Sequence, residues 1–205
     1  MPVVPVLYPI TDRALSGGLS HERIVTLLCR GGATLIQLRE KAMNDRDLLR
    51  AAQDATAAAA GRARLIVNER PDVAALCGAA GVHLGDEDLP AADARALLDA
   101  GALIGVSTHT VEQAEAAALL PVDYVALGPI FPTEHASARR APVGIEALAR
   151  ACRLVRLPVV AIGGIDLSRA AEALAAGAAG VAVMGDLMLA KDIPQRTAAY
   201  LRLTP

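Results

Sequence analysis

Short apolar runs alternate along this chain with longer amphipathic stretches, and most runs end in polar or charged residues or in glycine. A brief apolar run bounded by turn residues reads as a buried strand, and apolar positions at i, i+3 and i+4 read as a helix face. Residues 3–10 form the first such run, with Thr11-Asp12-Arg13 as its polar exit. Ser20 is placed to cap a helix carrying Ile24, Leu27 and Leu28 on one face, with Gly31 at its end. The second strand starts at Thr34 and runs into Gln37-Leu38-Arg39-Glu40-Lys41. Asn44 opens an alanine-rich helix that reaches about Gly61.

The alternation continues to the end of the chain. Residues 64–68 predict a third strand with Glu69 just past it, and Pro71 suits the first turn of a helix. Residues 81–84 predict a fourth strand that leaves through Gly85-Asp86-Glu87-Asp88, and Pro90 opens another helix. Strands follow at 103–107, exiting through Thr108-His109-Thr110, and at 122–127, exiting into a long loop over 128–144. Helix 145–155, strand 157–162 ending in Gly163-Gly164, helix 167–176, strand 180–184 and helix 193–203 complete the pattern. Gly-Gly-Ala at 31, Gly-Ala-Ala at 78, Gly-Ala-Leu at 101 and Gly-Ala-Ala at 177 each separate a helix from a strand, where glycine supplies a left-handed cap. Eight strands alternating with helices in 205 residues predict one domain over 1–205, an α/β (β/α)8 TIM barrel. An open doubly wound sheet is the alternative, disfavoured because no glycine-rich dinucleotide fingerprint follows the first strand.

Composition narrows the function classes. The chain is 54% hydrophobic with one Phe, three Tyr and no Trp, so Ala, Leu, Val and Ile build the core. A net charge of −2 leaves no electrostatic footprint for nucleic acid. No apolar stretch is long enough to span a bilayer and no signal-peptide pattern is present, which predicts a cytoplasmic protein with no membrane partner. Cys29, Cys77 and Cys152 are scattered, fit no metal spacing, and read as small core residues in a reducing compartment.

A barrel collects all strand exits at one mouth, so the chemistry follows from what each exit carries. Gln37, Arg39 and Lys41 share one side of an extended chain at period two and suit a multiply charged phosphate or pyrophosphate. Asn68 and Glu69 leave the third strand, Ser107 and His109 the fifth, and Thr133, Glu134 and His135 lie in the loop after the sixth. Gly163-Gly164 and Met184-Gly185 leave the last two strands, where glycine turns and helix starts cradle a phosphate. Glu69 and Asp88 are candidate ligands for a Mg²⁺ bridging the anion held by Arg39 and Lys41, while Asp86, Glu87 and Asp88 read alternatively as a solvated capping cluster. His83 lies within an apolar strand as a hydrogen-bonded core histidine, and His21 reads as a surface helix residue. Arg139 and Arg140 read as a solvated pair on the loop. A phosphate at one side and a metal-bound pyrophosphate at the other describe a transferase joining two phosphorylated small molecules.

The segments LYPITDR, GGATLIQLREK, LIVNERPDVA, GVHLGDEDLP, IGVSTHT, DYVALGPIFPT, VVAIGGI and GVAVMGDL run in order from Leu7 to Leu187. Together they resemble the thiamine phosphate synthase (thiamine-phosphate pyrophosphorylase) family, whose superfamily also holds thiazole tautomerases. The resemblance implies a (β/α)8 barrel that condenses hydroxymethylpyrimidine diphosphate with thiazole phosphate, releasing pyrophosphate. It places pyrimidine diphosphate contacts on Gln37, Leu38, Arg39, Glu40, Lys41, Asn68 and Ser107, and thiazole phosphate contacts on Thr133, Glu134, His135, Gly164, Met184 and Gly185. It places Mg²⁺ on Glu69 and Asp88. Arg39, Lys41, Ser107 and His109 are the candidate catalytic residues. Three positions depart from the family pattern: Glu69 stands for the usual Asp, Asp86 for Gln, and Ala136 for a loop lysine that Arg139 or Arg140 would have to replace. A tautomerase using His109 as acid and base, and a phosphate-ligand binder without chemistry, are the alternative functions. The sequence leaves a single chain and a homo-oligomer both open.

Overall fold

The structure is a computed structural model and describes residues 4–134 and 140–203. Eight parallel strands alternate with helices: β1 (Leu7–Pro9), α1 (His21–Arg30), β2 (Leu35–Leu38), α2 (Asp45–Ala59), β3 (Arg64–Asn68), α3 (Pro71–Cys77), β4 (Gly81–Leu84), α4 (Ala91–Leu97), β5 (Leu103–Thr108), α5 (Val111–Ala117), β6 (Tyr124–Leu127), α6 (Ile145–Leu154), β7 (Val159–Ile162), α7 (Leu167–Ala175), β8 (Gly180–Val183), α8 (Gly185–Met188) and α9 (Ile193–Tyr200). The sheet order is β1-β8-β7-β6-β5-β4-β3-β2, and a parallel bridge between Ile10 and Gln37 brings β1 back to β2. The fold is a nearly closed (β/α)8 barrel, as the alternation of strand and helix signals predicts.

The period-two alternation of each strand divides the core into two layers. Leu35, Ile66, Leu103, Tyr124, Val160 and Ala182 point into the barrel, while Ile36, Leu38, Val67, Val82, Ile104, Val125 and Val181 pack against the helices. The inward layer is tightly fitted. A side chain at Gly105 would collide with the ring of Tyr124, so the absence of one at Gly105 is what lets Tyr124 lie across β5 toward β4.

The N-terminal signals hold at several helices: Ser20, Asn44 and Asp166 each accept a hydrogen bond from the backbone N–H three residues on. Several boundaries differ from expectation. The first strand is confined to Leu7–Pro9, the sixth starts at Tyr124 and the seventh at Val159, because apolar residues before them pack without entering the ladder. Helix α5 occupies a stretch in which the pattern predicted no element; its start is the Thr110 cap on the Gln113 N–H. Gly78 and Gly177 take the left-handed conformation expected after a helix (φ 67° and 102°), but Gly31 is right-handed and Gly32 turns instead (φ 95°). Gly31 is required for space: a Cβ there would lie 2.5 Å from the Thr197 Cβ. His21 is buried rather than on the surface, because its ring bonds Thr11 across the barrel end. The three cysteines are free and half-buried against the outer core. No helix among the described residues is long and apolar enough to cross a membrane.

Candidate active site

The strand exits enclose a cavity of about 590 Å³ at the carboxyl end of the barrel, within the size range of small-molecule sites. Arg39, Asp88 and Gly164, which come from three distant segments, all line it. The wall has two chemically distinct halves. The strand residues that reach the wall are polar on β2 to β5 (Gln37, Asn68, His83, Ser107) and apolar on β7 and β8 (Ile162, Ala182). In the strand order, β3 lies four strands from β7, and β4 four from β8, so Glu69 and Asp88 face the glycine exits from across the mouth.

Gln37 is the only one of the three period-two polar residues inside the second strand; Arg39 and Lys41 lie beyond its end, so their side chains are aimed by contacts and not by the pleat. Arg39 pairs with Asp12 at 3.0 Å, and its backbone N–H donates to the buried Thr11 hydroxyl. Lys41 meets Glu69 at 2.6 Å. Leu38 is buried in the helix-facing layer, off the cavity wall. Glu40 is also off the wall: it accepts from the Ala42 N–H and meets His21 at 3.3 Å, which meets Thr11 in turn. These two residues brace the segment that presents Arg39 and Lys41.

Glu69 has φ 67°, the one positive value at a non-glycine residue among the described residues. A left-handed conformation costs such a residue about 1 kcal/mol and is found where a site demands it. Burial pushes the Glu69 carboxyl up, but hydrogen bonds from Lys41 and Asn68 outweigh it and leave the group below its ordinary value. Asp88 accepts from the Gly85 N–H at 2.6 Å, yet burial keeps its carboxyl above the ordinary value. Among the described residues no three His, Cys, Asp or Glu side chains cluster as a metal-binding group. Glu69 and Asp88, the two carboxylates expected to ligate Mg²⁺, both line the cavity, with Glu69 already paired to Lys41.

His109 and Arg140 both meet Asp86, at 3.4 and 3.1 Å. The His109 Nδ1 donates to the Gly128 carbonyl at 2.6 Å. Arg140 lines the cavity and pairs with Asp86, yet its side chain stays 44% exposed, as expected of a solvated loop charge; Arg139, His135 and Ala136 lie outside the described residues. Thr133 lines the cavity, whereas Glu134 is exposed and off the wall.

Gly164, Met184 and Gly185 line the opposite side, where α8 begins directly at Gly185 but α7 begins only at Leu167. Gly163 and Gly164 have φ 94° and 65°, and a Cβ on either would strike the loop after β6, at Pro129 or Pro132. The glycines therefore allow that loop to fold down over the mouth. Arg169 fastens the arrangement, donating to the Gly164 carbonyl at 2.8 Å with its guanidinium 5.1 Å from the Phe131 ring.

His83 is the site residue that sequence reasoning placed only in the core. It is buried and bonded as expected, and it also reaches the cavity wall. The signal that would have found it is its parity with Gln37, Asn68 and Ser107 as an inward strand position. Burial lowers its pKa from 6.5 to about 4, with the Glu69 charge opposing. An unfolded chain takes up a proton below about 6.5 that the folded ring refuses until about 4. Stability should therefore fall as pH drops through that window, by at most about 1.4 kcal/mol per pH unit from this group. Urea unfolding across the window should show a steeper decline for the unmodified chain than for His83→Asn.

Residues 7–187 match a family model described as thiamine monophosphate synthase. A thiamine-phosphate synthase of Myxococcus xanthus is 46% identical over 92% of this chain and 87% of its own. One from Albidiferax ferrireducens is 43% identical over 91% of this chain and 85% of its own. The solved structure of a thiamine phosphate pyrophosphorylase from Pyrococcus furiosus superposes with a TM-score of 0.86, at 35% identity, covering 96% of this chain and 93% of that one.

Proposed function

The chain belongs to the thiamine monophosphate synthase family, and from that premise we propose how its rim carries the reaction. It is a transferase that joins a pyrimidine methyl diphosphate to a thiazole phosphate, forming thiamine phosphate and releasing pyrophosphate. The observation that carries the residue assignment is the division of one cavity into a cationic and acidic side and an opposite glycine-lined side.

As the carbon–oxygen bond to pyrophosphate lengthens, positive charge grows on the pyrimidine methylene and negative charge on the leaving group. Arg39 and Lys41 stabilise that leaving group by charge, which favours the separated state over the bound substrate. Glu69 and Asp88 would hold Mg²⁺, and when bound the ion supplies further neutralisation of the pyrophosphate oxygens. Lys41 and Glu69 both line the cavity and meet at 2.6 Å, so Lys41 would exchange its carboxylate partner for the diphosphate. Gly164 and Gly185 hold the thiazole phosphate at the far side, and the apolar wall of Ile162 and Ala182 receives the rings. With both anions held, the thiazole nitrogen is oriented toward the methylene carbon, an effect of positioning that needs no strong base.

A coupled assay with both substrates tests the assignment. Thiamine phosphate should form only when Mg²⁺ is present, and metal-independent turnover would remove the roles given to Glu69 and Asp88. The mechanism requires no acid or base at His109, so His109→Asn should keep synthase turnover within about tenfold. Arg140 takes the place of the absent loop lysine. Arg140→Glu should raise KM for the diphosphate about tenfold, as expected for reversing one charge at an anion site, with KM for the thiazole phosphate unchanged.

A further inference from the structure

The polar side chains inside the barrel form one hydrogen-bonded row. The Gln37 Nε2 donates to the Tyr8 hydroxyl at 3.1 Å, and the Tyr8 and Tyr124 hydroxyls meet at 2.9 Å. Tyr124 then meets the His83 Nδ1 at 3.1 Å, and the His83 Nε2 meets the Ser107 hydroxyl at 3.0 Å. Five strands contribute one residue each, and Gln37, Tyr8, Tyr124 and His83 are all at least 96% buried. Gln37 and Ser107, the two ends, reach the cavity wall.

The direction of the row is set at its amide end. An amide nitrogen only donates, so Tyr8 accepts there and passes its own proton to Tyr124. Tyr124 in turn donates to the His83 Nδ1, which must carry a lone pair. The one proton of the neutral ring then lies on Nε2 and is donated to Ser107. An imidazolium would break the sequence, because two donors would meet at the Tyr124 contact. Burial also keeps both tyrosines in their neutral form, the only form that can pass a donor on. Since Ser107 accepts from the ring, its own O–H is left to point into the cavity.

We propose that His83 is a positioning residue, held by this row as the Nε2–H tautomer, which fixes the Ser107 hydroxyl as a donor to an acceptor atom of the diphosphate-bearing substrate. The substrate named here rests on the synthase reading; the row and its polarity do not. The row ends in an amide, which has no proton to release, so it orients a hydroxyl and conducts nothing.

Nitrogen-15 NMR of the histidine rings in the substrate-free chain reads the tautomer directly. The expected result is a protonated Nε2 and an unprotonated Nδ1 for His83 at neutral pH. Gln37→Glu offers a carboxylate that accepts from Tyr8, and the whole row should reverse, moving the His83 proton to Nδ1. A protonated Nδ1 in the unmodified chain, or the same tautomer in both proteins, would overturn the proposal. The kinetic arm compares two replacements. His83→Leu should lower kcat/KM for the diphosphate about tenfold, the worth of one lost hydrogen bond, with KM for the thiazole phosphate unchanged. His83→Gln, which keeps an N–H in reach of Ser107, should recover most of that loss, and a Gln variant no better than Leu would also overturn it. Should the Leu variant fail to fold, the spectra of the unmodified and Gln37→Glu chains decide alone. Absence of synthase turnover in the unmodified chain would count against the reaction assigned above and leave the spectroscopic result standing.

Discussion

Replacing Lys41 with Ala should lower kcat/KM for the diphosphate substrate about 10²–10³-fold, the usual consequence of deleting one donor aimed at developing negative charge. Two effects act together. The leaving pyrophosphate loses a cation, and Glu69 loses the partner that it meets at 2.6 Å, so the mouth becomes more negative just where an anion must form. Both members of the pair are partly solvated, with side chains 41% and 32% exposed, and such a pair contributes little to folding. The thermal midpoint should therefore move by no more than about 2 °C. Steady-state kinetics with both substrates, read beside a thermal melt, check the two halves of this expectation. A variant that keeps full kcat/KM would remove Lys41 from the chemistry, and one that loses activity only by unfolding would make its role structural.

The second large effect is on folding. Gly81→Ala should destabilise the protein by about 3 kcal/mol or more, at the upper end for an added methyl in a packed interior. The residue lies opposite Leu103 in the β4–β5 ladder. A Cβ there would stand 2.7 Å from both the backbone nitrogen and the carbonyl carbon of Leu103, and closer still to its oxygen. Neither strand can give way without opening the ladder, since the Leu103 N–H already donates to the Ala80 carbonyl at 2.8 Å. At this chain length the melting temperature should fall by roughly 6–12 °C. Gly101→Ala is the control: nothing lies within 4 Å of the added methyl and its φ is not left-handed, so its midpoint should barely change. Equal melting of the two variants would sink the packing argument.

Much of the site was legible because its residues sit at ends of strands. Arg39, Lys41, Asn68, Glu69, Asp88, Ser107 and Gly164 follow or close apolar runs, and a barrel sends every such exit to one mouth. Leu38 and Glu40 show where that reasoning loses resolution. They alternate with the cavity-facing residues: the pleat turns Leu38 toward the helix layer, and beyond the strand end contacts with His21 and the Ala42 N–H take Glu40 off the wall. Helix α5 was missed because its seven residues carry one large apolar side chain, Val111, among alanines and polar residues, so no amphipathic stripe marks it.

What the sequence determined by itself was the order of elements, the barrel, the exits and the family, since all of these are written in local periodicity and in short contiguous motifs. What only the tertiary structure decided was partnership: Lys41 with Glu69, Arg140 and His109 with Asp86, and the row from Gln37 to Ser107. The two members of each contact are far apart in the chain. They meet because parallel strands bring their exits to one rim, and which of them touch depends on the register of the sheet and the space left at glycines such as Gly105.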